Sequence, residues 1–187
     1  MSARIVAGVH GGRRLATPPG RSTRPTSDRV REALFSTLDT MTSLDGCRFA
    51  DLYAGSGAVG LEAASRGAAH VLLVESDARA ARTARENVAA LGASAAKVVT
   101  ARVAQVLAQP PTDAPYDVVF ADPPYPATDA EVGAMLVALV GSGWLADGAV
   151  VVVERSSRTA PPRWPPGVAA QQSRRYGETT LWYGRRS

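Results

Sequence analysis

Apolar residues in this chain follow two alternating patterns. Short apolar-rich runs of strand length occur at residues 48–53, 71–75, 97–100, 116–121 and 149–154. Runs with so little polar alternation suit strands covered on both faces. Between them the apolar spacing turns helical. Residues 58–66 form an alanine-rich helix. A second helix follows Ser76-Asp77, with Ala81, Ala84, Val88 and Leu91 on its core face and Gly92 as its stop. A short helix spans about 101–108 and ends at Pro110-Pro111. Thr128-Asp129-Ala130-Glu131 is a capping box opening a further helix, with Val132, Met135, Leu136, Leu139 and Val140 inside. Strands alternating with helices predict an α/β domain built on a parallel sheet. At the front, residues 4–17 read as a small β-hairpin around Gly11-Gly12, and 18–25 as a loop. A helix capped by Thr26 or Ser27 follows, with Val30, Ala33, Leu34, Thr37 and Leu38 facing inward. At the back, the stiff loop 161–166 precedes an antiparallel pair, 168–176 and 179–183, turning at Gly177-Glu178. There is no internal repeat.

The run 116–121 ends in Asp122-Pro123-Pro124-Tyr125. An acid followed by two prolines at the C-terminal end of a strand is an acid on a stiff backbone, at the end where open α/β sheets bind ligands. A simple proline-stiffened turn is the alternative. Asp-Pro-Pro-Tyr resembles the signature of amino-group methyltransferases, which act on the exocyclic NH2 of adenine, cytosine or guanine.

Upstream stands Asp51-Leu52-Tyr53-Ala54-Gly55-Ser56-Gly57-Ala58-Val59-Gly60, a G-x-G-x-x-G between a strand and a helix. Glu75 ends the next strand, 20 residues after Gly55, close to the spacing at which a carboxylate meets ribose hydroxyls. A pyrophosphate would suit such a loop, but Asp51 would repel it. A cofactor with a cationic amino-acid end fits better, and S-adenosylmethionine has one. Asp51 and the Gly55/Gly57 loop would then hold the methionine part, and Glu75 the ribose.

Charge sharpens the picture. Net charge is only +4, yet residues 1–31 hold seven arginines against one acid, and residues 155–187 repeat that balance. The middle carries 15 acids against 7 bases. An acidic body with basic flanks suits a polyanionic substrate, because phosphate contacts supply affinity while the pocket selects. The 187 residues fit one domain, 1–187, with 1–25 as a basic hairpin-and-loop extension. Cys47 is the lone cysteine, so no internal disulfide is possible and a reducing cytoplasm is the expected setting. His10, His70 and Cys47 make no recognisable metal site. No apolar signal segment or membrane-length run is present, and a monomer is expected.

With 24–35 (Arg-Pro-Thr-Ser-Asp-Arg-Val-Arg-Glu-Ala-Leu-Phe), 51–67, Asp122-Pro123-Pro124-Tyr125 and 176–181 (Tyr-Gly-Glu-Thr-Thr-Leu) all in view, the chain resembles the RsmD family over nearly its whole length. These are bacterial 16S ribosomal RNA methyltransferases that make N2-methylguanine. The resemblance implies a class I methyltransferase (Rossmann-like) fold with a seven-stranded, mostly parallel sheet and helices on both faces. It implies S-adenosylmethionine as donor, S-adenosylhomocysteine as product, and 16S rRNA in the small subunit or a late assembly intermediate as partner. Asp122, Pro123 and Tyr125 are the implied catalytic residues. Asp51, Tyr53, Ala54, Gly55, Ser56, Gly57, Glu75, Ser76, Arg102, Val103 and Asp122 are the implied cofactor contacts. Arg4, Arg13, Arg14, Arg21, Arg24 and Arg29 are the implied RNA contacts, with a surface ion pair as the alternative for Arg29 and Arg31. One departure is Thr100-Ala101-Arg102-Val103, where related enzymes often place an acidic or amide side chain against adenine. Backbone groups or packing must serve there.

The expected chemistry is a grip on an amine. The Asp122 carboxylate and Pro123 carbonyl would accept both NH2 hydrogens and stabilise the charge growing on nitrogen. Tyr125 would either stack on the base or pack under the loop, and Trp164 poses the same choice. A NAD-linked oxidoreductase explains neither Asp51 nor Asp-Pro-Pro-Tyr. A non-catalytic RNA-binding factor explains only the arginines. A carbon-5 pyrimidine methyltransferase needs a cysteine nucleophile, and Cys47 is far in sequence from Asp122. A DNA adenine or cytosine amino-methyltransferase is the nearest rival.

Overall fold

The computed structural model describes residues 3–19 and 26–187. Along the chain it forms β1 (Ala3–Arg4), β2 (Arg14–Leu15), α1 (Asp28–Met41), β3 (Arg48–Leu52), α2 (Ala58–Ser65), β4 (His70–Glu75) and α3 (Ala78–Leu91). There follow β5 (Ala96–Thr100), α4 (Val103–Leu107), β6 (Tyr116–Ala121), α5 (Asp129–Gly141), β7 (Leu145–Ser156), β8 (Val168–Tyr176) and β9 (Thr179–Arg186). Seven strands form one sheet in the order β5-β4-β3-β6-β7-β9-β8. The pairs from β5 to β7 are parallel, and β9 enters antiparallel to both β7 and β8. β1 and β2 form a separate small antiparallel pair.

Apolar packing fills both faces. One core joins the hairpin residues Ile5 and Leu15 to Leu34, Phe35 and Leu38 of α1, Leu61 of α2 and Ala84 of α3, against Phe49, Leu73 and Phe120 of the sheet. The other joins Leu107, Met135, Leu136, Leu139 and Trp144 to Leu52, Val119 and Val151. Both faces of the central strands are therefore dry, which is why their sequences are continuous rather than alternating.

Local signals act as expected at most helix ends. Ser27, not Thr26, caps α1, with its hydroxyl accepting from the Val30 N–H. Thr128 and Glu131 complete the reciprocal box at α5. Gly92 ends α3 at φ 62°. Some boundaries differ. α4 begins at Val103 rather than 101, because Arg102 is its extended N-cap. β7 starts at Leu145, four residues early. Leu145 pairs with Tyr116 ahead of Ala146-Asp147-Gly148, whose polar and glycine content hid the strand. β9 runs on to Arg186 because β7 and β8 both pair with it. Trp164 packs rather than projecting outward. Its ring occupies the space above Gly184, where a Cβ would come within 2.8 Å of it.

Arg31 corrects a surface reading. It lies on the inner side of α1 with no exposed area, and its Nε donates to Glu62 on α2, equally buried, at 3.2 Å. Glu62 also accepts the Val6 and Ala7 N–H groups at 2.8 and 3.0 Å, and Arg66 Nε at 3.0 Å. Arg31 further donates to the Arg4 carbonyl and to Asp28. The pair fastens the N-terminal segment to the body.

Candidate active site

Sheet order decides where chemistry can gather. From β3 the chain builds outward through β4 to β5, then returns to add β6 and β7 on the other side. The C-terminal ends of β3 and β6 therefore flank a topological switch point, the standard crevice of open α/β sheets. Asp51 lies near the end of β3, Glu75 ends β4, Arg102 and Val103 follow β5, Asp122 follows β6, and Glu154 lies near the end of β7. The expected cofactor residues thus share one edge of four adjacent strands, and Glu154 joins them from a fifth.

After Leu52 the backbone turns sharply. Tyr53 has φ 62°, the positive-φ exception to glycine among the described residues, and such strain is tolerated where a loop must be held in one shape. Gly57 caps α2 at φ 86°. Gly60 has no room for a side chain, since a Cβ would fall 2.2 Å from Leu73 Cδ2 and 3.2 Å from Asp51 Cβ. That contact lets α2 lie close on β3 and β4. The Asp51 carboxylate accepts the Gly60 N–H at 2.9 Å and is 2% exposed. Glu75 receives the Gly55 N–H on one oxygen at 2.9 Å and the Asp77 N–H on the other at 2.7 Å. Each Glu75 oxygen keeps a second acceptor direction. Ser76 is exposed beside it, and space in front of Gly55 is open. Arg102 is an exposed N-cap and Val103 is buried.

Asp122 is half-buried, on a strand extension whose N–H points to the Leu52 carbonyl at 3.5 Å. Pro123 is buried, and Tyr125 is 89% exposed, so it is no core aromatic. Arg155, following Glu154, steadies the far end of the loop by donating to the Ala127 carbonyl at 3.1 Å and to Asp129 at 2.9 Å.

The electrostatics are one-sided. Burial raises the Asp51 pKa to about 7, against the Gly60 hydrogen bond and with help from the Glu75 and Glu154 charges. Burial, then the Glu154 and Asp51 carboxylates, hold Asp122 well above the ordinary carboxylate range. Burial also raises Glu154, although the Thr26 hydroxyl donates to it at 2.9 Å. Sequence reasoning did not single out Glu154. An acid at the end of an apolar run one strand from Asp122 was the available signal. Carboxylates gathered at one crevice, each reluctant to ionise, make a seat for a cation. No group of acids, histidines or cysteines among the described residues has a geometry that would hold a metal ion.

The expected RNA contacts lie on the N-terminal side. Arg4, Arg14 and Arg29 are exposed. Arg13 is exposed too, but donates to the Ala90 carbonyl at 2.7 Å, strapping the hairpin to α3. Arg21 and Arg24 lie outside the described residues.

The sheet order, the glycine turn at the end of β3 and the acid ending β4 define the class I methyltransferase fold. Comparison with known proteins narrows this. Residues 3–185 match the family model described as conserved hypothetical protein 95. Ribosomal RNA small subunit methyltransferase D of Escherichia coli (strain K12) is 41% identical over 162 residues, covering 87% of this chain and 79% of that protein. The protein of the same name from Haemophilus influenzae is 37% identical, covering 81% and 77%. The solved structure of yhhF from Escherichia coli aligns with a TM-score of 0.87 at 35% identity, covering 100% of this chain and 99% of that one. The chain belongs to the RsmD family.

Proposed function

We propose that this chain transfers a methyl group from S-adenosylmethionine to the exocyclic N2 of a guanine in small-subunit ribosomal RNA, in an assembled or nearly assembled subunit. The observation that carries the reading is Asp122. Its carboxylate sits on a proline-stiffened strand end beside the glycine turn, and no described residue hydrogen-bonds it. The name shared by the relatives supports ribosomal RNA as substrate.

The residues present fit the donor. A sulfonium and an ammonium answer the surplus of buried carboxylate, the open face at Gly55 admits a close approach of backbone, and Glu75 offers acceptors to ribose hydroxyls. Bound there, S-adenosylmethionine would supply an electrophilic methyl carbon. The chain's part is to hold the amine. Asp122 Oδ and the Pro123 carbonyl accept the two N–H groups, so the nitrogen lone pair stops delocalising into the ring and points at the methyl. Holding the amine toward the donor's methyl carbon would supply much of the remaining rate. Asp122 then takes the surplus proton once the amine is alkylated. A cation in the crevice also favours the ionised form of Asp122, the form that accepts hydrogen bonds.

Tyr125, exposed at the pocket mouth, stacks on the presented base, which must leave its own stack or already lie in a loop. Basic groups from the other end of the chain come near. Arg174 pairs with Leu181, which pairs with Glu154, so the arginines of the β8–β9 turn lie at the catalytic end of the sheet. Arg158, Arg174 and Arg175 are exposed there to meet phosphate.

The test is a labelled-methyl assay on small subunits from cells lacking this protein, followed by mapping of the modified nucleotide. Label on one guanine N2 of the small-subunit RNA is expected. Label on adenine or cytosine, or none while duplex DNA accepts it, would replace this reading.

A further inference from the structure

Asn87 has no place in the chemistry above, yet it is 3% exposed and uses its whole amide. Its Oδ1 accepts the Ala16 N–H at 2.8 Å. Its Nδ2 donates to the Ala16 carbonyl at 3.0 Å and to the Ser56 carbonyl at 3.0 Å. Ala16 directly follows β2 of the N-terminal hairpin. Ser56 stands between Gly55 and Gly57, in the turn assigned above to the cofactor. One side chain on α3 therefore ties the hairpin to the cofactor turn. An amide suits this, because it pairs with the N–H and the carbonyl of one residue and keeps a second N–H for another carbonyl. A carboxylate would set its oxygen against two carbonyls, and an alkyl group would leave the buried Ser56 carbonyl without its partner and release Ala16.

The hairpin's other attachments lead the same way. Val6 and Ala7 donate to Glu62 on α2, the helix that the glycine turn opens. Ser65 of α2 accepts the His10 N–H, and its carbonyl accepts the Val9 N–H. Gly8 is packed so closely that a Cβ would overlap the Ser65 carbonyl. The hairpin that carries Arg4, Arg13 and Arg14 is thus bonded to α2 and α3, and through Asn87 to the cofactor turn itself.

We propose that Asn87 is a positioning residue linking two binding events: cofactor held in the Gly55–Gly57 turn and RNA held by the N-terminal hairpin each strengthen the other. Anything that fixes the Ser56 peptide fixes the carbonyl that Asn87 reads, and with it the pairing at Ala16. By linkage the effect must be the same in both directions. The inference rests on the proposed function, since it takes the hairpin's partner to be ribosomal RNA.

The test uses the full chain, S-adenosylhomocysteine and small subunits from cells lacking this protein. Wild type is expected to bind S-adenosylhomocysteine at least about 5-fold more tightly when saturated with subunits, within the usual range of such couplings. It should also show slower hydrogen exchange at the Ala16 amide when S-adenosylhomocysteine alone is added. In Asn87→Ala the two affinities should become independent while each remains measurable. Asn87→Asp, which keeps an acceptor for Ala16 but loses the donor to Ser56, should likewise lose the coupling. Subunits and S-adenosylhomocysteine that bind wild type independently would overturn the inference and leave the methyl-transfer reading standing. Coupling unchanged in both variants would overturn the role of Asn87. Subunits that neither bind nor accept methyl groups would instead defeat the proposed function.

Discussion

Asp122 and Tyr125 share one turn but should fail in different ways when removed. Asp122→Ala deletes the acceptor proposed to act on the reacting amine. Turnover should fall at least about 100-fold, in line with loss of one preorganised partner at a charge-developing atom. Affinity for S-adenosylhomocysteine, measured by calorimetry, should stay within a few-fold. Retained turnover would remove Asp122 from the chemistry. Tyr125 is almost fully exposed, so Tyr125→Ala should leave urea stability within about 0.5 kcal/mol. Loss of stacking should cost roughly 1–3 kcal/mol in kcat/KM on ribosomal subunits. A fall in stability with unchanged kinetics would make it a structural residue. Asp122 and its neighbours were legible in the sequence because an acid, two prolines and a tyrosine after an apolar run form a local pattern. Glu154 and Arg31 were not, because the first gains its meaning from Asp122 one strand away and the second from Glu62 on another helix.

Elements are placed here by small residues and by one ion pair. Gly60 lets α2 close on the sheet, and its N–H holds Asp51. Gly60→Ala should therefore destabilise the fold by overpacking, about 1–3 kcal/mol, and weaken cofactor binding together with it. Glu62 gathers Arg31, Arg66 and two hairpin amides from three parts of the chain. Glu62→Ala leaves the Arg31 charge buried with only the half-exposed Asp28 carboxylate beside it, and breaking a buried pair costs about 3–5 kcal/mol. Urea titration would measure it, and a cost below about 1 kcal/mol would mean that Asp28 and the Arg4 and Thr26 carbonyls satisfy Arg31 unaided. Helix starts and stops were readable because caps act within four residues. Strand ends such as the early start of β7 were not, because pairing partners set them.

At the scale of the whole molecule, folding gathers carboxylates at one edge of the sheet. Asp51 is raised from an ordinary value of 3.8 to about 7, and Asp122 and Glu154 move in the same direction. A raised carboxyl stabilises the fold while protonated, and that contribution fades as pH climbs through the folded-state pKa. For Asp51 the window is about 4 to 7. The melting temperature of the free protein should therefore carry a declining contribution from Asp51 between pH 5 and 7, and Asp51→Asn should remove it. A cationic donor bound there, as proposed, would reverse the balance by favouring the ionised acids. Its binding should release protons and tighten as pH rises from 6 to 8, which calorimetry in two buffers of different ionisation enthalpy would detect. Proton uptake on binding would contradict the carboxylate seat.

The sequence by itself determined the succession of strands and helices, the caps, the glycine turn and the acid-proline motif, because each is written within a few neighbouring residues. Only the tertiary structure decided which strands lie side by side, and so which acids share a crevice. It alone turned Arg31 inward, left Tyr125 in water and joined Asn87 to both Ala16 and Ser56. Those outcomes depend on contacts between residues distant in sequence, and the free energy of such contacts is fixed only when the chain has closed around them.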